Sequence, residues 1–218
     1  MRIYLKTDAR NILLPFEHQH LLTGTIHKWL GWNNEHGELS LYSYSWLEGG
    51  RKTGSGLRFD NGASFFFSSH HPELIRRLVT GIQANPVLFR GLEIAEIIAQ
   101  EDPDLSHRDR FFTASPVFIK RRVDDRIGHI LYDNPRANTY LKETVTTKLK
   151  KAGIDDESFD IRFDAEYPKA RTKLITYKGI GNKASWCPVY IQGRPGTKVF
   201  IWNVGLGNST GIGFGAIK

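Results

Sequence analysis

The chain has one cysteine and one methionine in 218 residues. A single thiol, Cys187, excludes an internal disulfide and any multi-cysteine zinc site, and its expected role is that of a small buried hydrophobe in a reducing compartment. No run approaches the ~18 apolar residues of a membrane helix. Arg2-Ile3-Tyr4-Leu5-Lys6-Thr7 alternates like a strand where a secretory leader would need an apolar core. A cytoplasmic protein with no membrane partner is expected. Also missing are the Gly-Lys-Ser/Thr ending of a P-loop and, behind the last glycines, the helix and acidic ribose partner of a dinucleotide fold.

Excess positive charge is absent from the first half. Residues 1–110 carry 12 Lys/Arg against 13 Asp/Glu, and residues 111–218 carry 18 against 10, so all of the net +7 is C-terminal. Seven of the eight histidines lie in the first half, His129 being the exception. A basic half beside a neutral, histidine-rich half points to a division between gripping a polyanion and acting on it. A hydrophobic content of 40% and charged content of 24% are those of a folded globular chain. The length suits two units of about 100 residues, each with its own core.

The densest local signal is Gly205-Leu206-Gly207-Asn208-Ser209-Thr210-Gly211-Ile212-Gly213-Phe214-Gly215, read as a loop between the apolar strand 199–204 and a short final strand. Glycines permit positive φ and let backbone N–H groups close on an oxyanion. A tight glycine-rich turn between strands is the alternative.

In chain order, the pattern predicts a first strand at 2–7 and a helix from Glu17 to Gly31. Leu22, Ile26, Trp29 and Leu30 are its inner face, and His20, Gly24 and His27 lie opposite, Gly24 marking close approach of a chain or ligand. His36 falls on the following loop, and Leu39–Trp46 alternates as a strand. Two short strands, Leu57–Asp60 and Ala63–Ser68, are joined by the hairpin signal Asn61-Gly62. A helix spans Pro72–Gln83, with His70 and His71 at its entry, and Leu88–Ile98 is a single strand. Glu101-Asp102-Pro103-Asp104 reads as a linker. The second half holds a strand at Phe111–Ile119, the basic run Lys120-Arg121-Arg122, and a helix from Pro135 to Lys151. That helix has Leu141, Val145 and Leu149 inside and Lys142, Lys148 and Lys150 on its other face. Strands at 158–166, 171–178 and 189–192 follow. The order of the first half is the β-α-β-β-α-β pattern of a ferredoxin-like fold. The second half reads as another sheet-plus-helix unit, broadly parallel to the first, so the expected class is α+β, divided into 1–105 and 106–218.

Four stretches carry a family likeness: Pro15-Phe16-Glu17-His18-Gln19-His20-Leu21-Leu22 to Ile26-His27; Leu39–Ser45; Phe65-Phe66-Phe67-Ser68 through Pro72-Glu73-Leu74 to Gly81–Pro86; and the glycine loop. In this order the chain resembles the CRISPR repeat-processing endoribonucleases of the RAMP superfamily, CRISPR-associated protein family six, over essentially its whole length. The resemblance implies tandem ferredoxin-like (RRM-like) folds, with antiparallel sheets and helices on one face, and CRISPR repeat RNA as the partner, bound as pre-crRNA and crRNA across the two folds. It implies metal-independent chemistry without a cofactor: the ribose 2′-OH attacks the adjacent phosphorus, leaving a 2′,3′-cyclic phosphate and a 5′-OH. Other CRISPR-associated interference subunits are further candidate partners, and the expected state is a monomer or homodimer.

That reaction needs a base, an acid and charge or hydrogen bonds for the phosphorane, and histidine suits both proton transfers. By resemblance His36 occupies the segment that commonly carries a catalytic histidine. His27 stands where some relatives hold a tyrosine, so a two-histidine pair is the sharper expectation. Ser40 stands where some relatives place a catalytic lysine, leaving Lys52, Arg51 or Lys28 as candidate cations and Tyr42 or Tyr44 as hydrogen-bond donors. RNA is expected over the second half, on Lys120, Arg121, Arg122, Lys173, Lys178 and Lys183, with phosphates near Gly205, Gly207, Asn208, Ser209, Thr210, Gly213 and Gly215. Three other readings stand beside this one: a metal site formed by His18, His20 and His27, a non-catalytic RAMP subunit that scaffolds crRNA, and an unrelated ferredoxin-like domain binding a phosphorylated metabolite.

Overall fold

The computed structural model of the protein describes residues 1–8, 10–31, 39–123 and 126–218. The first half runs β1 (Arg2–Thr7), β2 (Ile12–Leu14), α1 (Gln19–Leu30), β3 (Tyr42–Tyr44), β4 (Arg51–Lys52), β5 (Leu57–Phe59), β6 (Ser64–Ser69), α2 (Pro72–Ala84), β7 (Val87–Phe89) and β8 (Leu92–Gln100). Its main sheet has the order β3-β6-β1-β8-β7, all antiparallel. Among its core strands the fourth therefore lies beside the first, then the third, then the second, which is the ferredoxin-like order.

α2 forms as its sequence predicts. Pro72 opens it, Leu74, Ile75, Leu78 and Ile82 are buried, and Arg76 and Arg77 face water, both paired to Glu73. The close approach expected at Gly24 occurs instead at Gly81: a Cβ at Gly24 would meet nothing within 4 Å, whereas one at Gly81 would lie 2.4 Å from the Trp29 carbonyl. Gly81 is what lets α2 pack against α1.

Two local expectations are corrected. Asn61-Gly62 does not close a hairpin between β5 and β6. It carries the chain from a small sheet, β2-β5-β4, into the main one. Gly62 has φ +79° and no room for a Cβ, which would sit 2.1 Å from the Thr7 carbonyl. Next to it Thr7 donates its N–H to Ala63 at 2.9 Å, and Thr7 Oγ1 accepts the Ala63 N–H at 2.8 Å. The strand expected over 88–98 is a hairpin, β7 to β8, because Arg90 and Gly91 both take positive φ (52° and 83°), as a two-residue turn matched to strand twist requires.

The second half runs β9 (Arg110–Phe111), β10 (Lys120–Val123), β11 (Arg126–His129), α3 (Ala137–Lys151), β12 (Asp160–Phe163), β13 (Arg171–Tyr177), β14 (Ile180–Trp186), β15 (Val189–Gln192) and α4 (Pro195–Val204). Its sheet is β12-β15-β9. The fourth position is filled by the last residues: Thr113 bridges Ile217, and Phe112 and Lys218 exchange N–H···O bonds of 3.0 and 2.8 Å. This repeats the order of the first half, so the chain is two ferredoxin-like folds in tandem with antiparallel sheets. β10–β11 and β13–β14 are added hairpins. The long strand expected over 111–119 is reduced to β9 and isolated bridges.

The largest correction is at 199–204, where the expected strand is the body of α4. Seven of its residues, Thr197, Lys198, Phe200, Ile201, Trp202, Asn203 and Val204, are buried. A helix covered on nearly every side carries no apolar stripe, so Val-Phe-Ile-Trp-Asn-Val reads as a strand. Pro195 starts it, and Gly205, at φ +70°, ends it.

Each half has its own apolar core, one built from residues 3–94 and the other chiefly from residues 105–217. Arg2 locks the seam. It is 1% exposed, its guanidinium lies 3.6 Å from the Phe66 ring centroid and 3.3 Å from that of Trp202, and Nη2 donates to the carbonyls of Trp202 and Ile217. Burial pushes its pKa down to about 9. No helix among the described residues is long and apolar enough to cross a membrane.

Candidate functional site

α1, β3 and the glycine loop meet on one side of the seam. Thr23 and His27 are one turn apart on α1, about 6 Å along its axis. Tyr44 and Tyr42 are two residues apart on β3, about 7 Å. These rises match, so two rungs form: Thr23 Oγ1 lies 2.7 Å from Tyr44 Oη, and His27 Nε2 lies 3.2 Å from Tyr42 Oη. The glycine loop completes them. The Gly211 carbonyl is 2.9 Å from His27 Nε2 and 3.4 Å from Tyr42 Oη, and the Gly213 carbonyl accepts the Trp46 indole N–H at 3.0 Å. A carbonyl only accepts, so Nε2 of His27 carries its hydrogen toward Gly211, which fixes the tautomer. Tyr44 is fully enclosed, and burial raises its pKa well above the usual phenol value.

Gly211, not among the expected contacts, is central here. A Cβ on it would sit 2.5 Å from Ser40 Oγ and 2.9 Å from Tyr42 Oη, so a larger residue would have to displace these side chains. Ser40 accordingly lies at this site, and its hydroxyl carries no charge to supply the cation. The other glycines are packing residues. Cβ atoms at Gly205, Gly207, Gly213 and Gly215 would fall within 2.7 Å of protein atoms, in three cases backbone carbonyl oxygens. The N–H groups of Gly205, Leu206, Asn208, Ile212, Gly213 and Gly215 are spent on the protein's own carbonyls. These six amides are therefore turned into the protein, and Asn208 and Ser209 form the partly exposed rim of the loop.

Beneath the loop lies a residue that sequence placed on the outer face of a helix. Lys148 is 1% exposed, and its ammonium donates to the carbonyls of Val204 (3.0 Å) and Gly205 (3.1 Å) and to Thr210 Oγ1 (3.2 Å). It thus caps the negative end of α4 and ties it to the turn that presents Gly211. Its signal was available: Leu141, Val145 and Leu149 recur every four residues, and Lys148 adjoins that stripe.

The expected cations separate into two groups. Arg121 is held within the protein, donating to Tyr140 O, Thr144 Oγ1 and Glu143 with its guanidinium over Tyr140. Lys120, Arg122, Lys178 and Lys183 are exposed, and Asn208 Oδ1 receives the Lys120 N–H at 2.9 Å, joining β10 to the loop rim. Lys52 lies at the N-terminal end of α1, over the Phe16 ring at 5.8 Å, lining a groove with Lys173. Arg51 is paired with Asp60, and Lys28 is exposed. His36 lies outside the described residues. His18, His20 and His27 bind three separate carbonyls, those of Pro15, Glu17 and Gly211, and no three His, Cys, Asp or Glu side chains converge among the described residues. His70 and His71 pack edge to face, with His71 at the N-cap of α2 making no side-chain cap bond. Cys187 is buried, and burial chiefly pushes its thiol up to about 12, which removes it as a nucleophile.

Residues 100–218 match the family model described as CRISPR associated protein Cas6, C-terminal. The chain belongs to that family. Among solved structures it is similar to one titled "CRISPR associated protein Cas6" (TM-score 0.85, 20% identity, covering 100% of this chain and 98% of the other). A second, titled "An RAMP protein binding different RNA substrates", matches with a TM-score of 0.84 and 19% identity over 100% and 98% of the two chains. A third, the Cas6-related protein from Pyrococcus furiosus, has a TM-score of 0.81 and 19% identity over 100% and 97%. At these identities the likeness is one of fold. No curated protein sequence matches the chain.

Proposed function

We propose that this Cas6-family protein binds CRISPR repeat RNA and cuts it without a metal ion. The 2′-OH attacks the adjacent phosphorus, the 5′-oxygen departs, and the ends are a 2′,3′-cyclic phosphate and a 5′-OH. The observation that carries the reading is His27 held at 2.9 Å by the Gly211 carbonyl and at 3.2 Å by Tyr42, in the seam between the two folds. His27 is assigned to proton transfer, and His36, six residues beyond the end of α1, is the second acid-base group. Tyr42 orients His27. Lys148 acts at one remove, by fixing the turn that carries Gly211.

The division of labour follows the two units, 1–105 supplying the histidines and 106–218 the RNA platform. The two cores support a division close to this point, Leu105 itself packing in the C-terminal core. Lys120, Arg122, Lys178 and Lys183 are the cations assigned to phosphates.

The test is single-turnover cleavage of repeat RNA from the array that the protein serves. Cleavage should survive chelators and be abolished by a 2′-deoxy substitution just before the cut, with binding retained. His27→Ala and His36→Ala should each cut about 10²- to 10⁴-fold more slowly while holding RNA. A wild-type rate in His27→Ala would remove it from the chemistry. Tight RNA binding with no cleavage by the wild type would make the protein a scaffolding subunit, and strict Mg²⁺ dependence with a 3′-OH product would replace the mechanism with a metal-assisted one.

A further inference from the structure

A groove of about 440 Å³ lies at the N-terminal end of α1, between the first half and the β13–β14 hairpin. Its walls combine ring, cation and amide: Phe16, 48% exposed, and Trp46, with Lys52 from one side and Lys173 from the other. Trp46 is fixed by its bond to Gly213 and backed by Trp186 at 5.5 Å between ring centroids. Gln19, 4% exposed, lines the same groove, with its amide nitrogen packed against Gly213 and the Tyr44 side chain. Lys173 is held below its usual pKa by burial first and then by the nearby Arg171 and Lys52 charges, a surplus of like charge that an anion would relieve. Glu17 is the one acidic side chain on the rim. A larger hollow of about 630 Å³ runs along α3 and β12, but its charges are mixed, Lys142 pairing with Asp160.

We infer that this groove takes one unpaired nucleotide of the bound RNA, its base against Phe16 and its phosphate between Lys52 and Lys173. The inference rests on the reading of the chain as an RNA-cutting protein. Aromatic faces accept any base and lysines position phosphate, which is how single-stranded RNA is commonly held. Gln19 and His27 are eight residues apart on α1, about 12 Å along the axis. The nucleotide in the groove is therefore a near neighbour of the scissile phosphate, and its occupancy sets the register of the cut. Lys52 thereby has its role here, on a flanking phosphate.

The probes are AMP, GMP, CMP and UMP, with ribose 5-phosphate as the base-free control, titrated against the full chain by tryptophan fluorescence, Trp46 being in the wall. Nucleotides should quench it. Phe16→Ala and Lys173→Gln should each weaken them about tenfold, Phe16→Tyr should restore binding, and ribose 5-phosphate should bind at least tenfold more weakly than any nucleotide. In repeat RNA cleavage the same two variants should raise the half-saturating RNA concentration and produce cuts one nucleotide out of register. Nucleotide binding unchanged in both folded variants would overturn the site. So would equal binding of ribose 5-phosphate, which would make it an anion site only, or displacement of nucleotides by an acidic peptide that binds more tightly. If the wild type binds nucleotides in this manner but cuts no RNA, the proposed reaction fails and the groove's ligand class stands. Normal cleavage with nucleotide binding indifferent to both substitutions would sink the groove alone.

Discussion

The two halves share one strand order, yet their helices are stabilised differently. In the first half α2 has a wet face and a dry one: Arg76 and Arg77 outward, Leu74, Ile75, Leu78 and Ile82 inward. In the second half α4 is buried along most of its length, sharing an apolar core with its own sheet and packing on α3 and on strands β3 and β6 of the other half. The difference concerns function as well as packing. A helix enclosed by both halves can end at the seam, and the glycine loop that leaves it delivers the Gly211 carbonyl to His27. The basic half likewise contains two kinds of charge. Lys148, Lys198 and Arg121 are used inside the protein, against carbonyls, Asp109 and α3 respectively, while Lys120, Arg122, Lys178 and Lys183 face water.

If the seam is what joins the halves, Arg2→Ala should have the largest effect on stability. It removes a stacked guanidinium and strands two buried carbonyls, a loss of about 3–5 kcal/mol, read as a lower denaturation midpoint. A loss under about 1 kcal/mol would mean that the halves are held by their apolar surfaces alone. Lys148→Met keeps the aliphatic stem and removes the ammonium from three acceptors, for an expected cost of about 2–3 kcal/mol. Because the loop positions Gly211, its cleavage rate at saturating RNA should fall as well, and Lys148→Arg should recover part of it. A stability loss with an unchanged saturated rate would confine Lys148 to structure. The smallest effect expected is on the outer charges. Replacing Lys120 and Arg122 together should lower the salt dependence of RNA affinity by roughly 0.7 in slope for each phosphate that is no longer neutralised, with no change in melting. Replacing Arg121 should instead lower the melting temperature, since its bonds are to α3. The comparison would be reversed by a double variant that leaves the slope untouched and an Arg121 variant that reduces it.

The sequence was legible where one side of an element meets water. α1, α2 and α3 lie within a few residues of their expected bounds because polar and apolar positions alternate with the helical period, and Pro72 and Gly153 mark a start and a stop. His27 could be picked from the family likeness, and Tyr42 as one of two candidate donors on the strand. What composition could not separate was an anion-binding glycine loop from a tightly packed one. Both need glycine, and the distinction lies in which atoms occupy the space that a Cβ would fill.

The residue pattern by itself determined the α+β class, the ferredoxin-like element order of the first half, the amphipathic helices and the charge division, because each is a local periodicity or a count along the chain; the tandem arrangement came from the family likeness. The tertiary structure alone decided that 199–204 is a helix, that Lys148 is buried and that Lys52 stands beside Phe16. Those outcomes depend on the meeting of residues far apart in the chain. Burial on every side erases the periodicity that sequence reading relies on, and a lysine at the margin of an apolar stripe is turned inward only by the carbonyls it finds there.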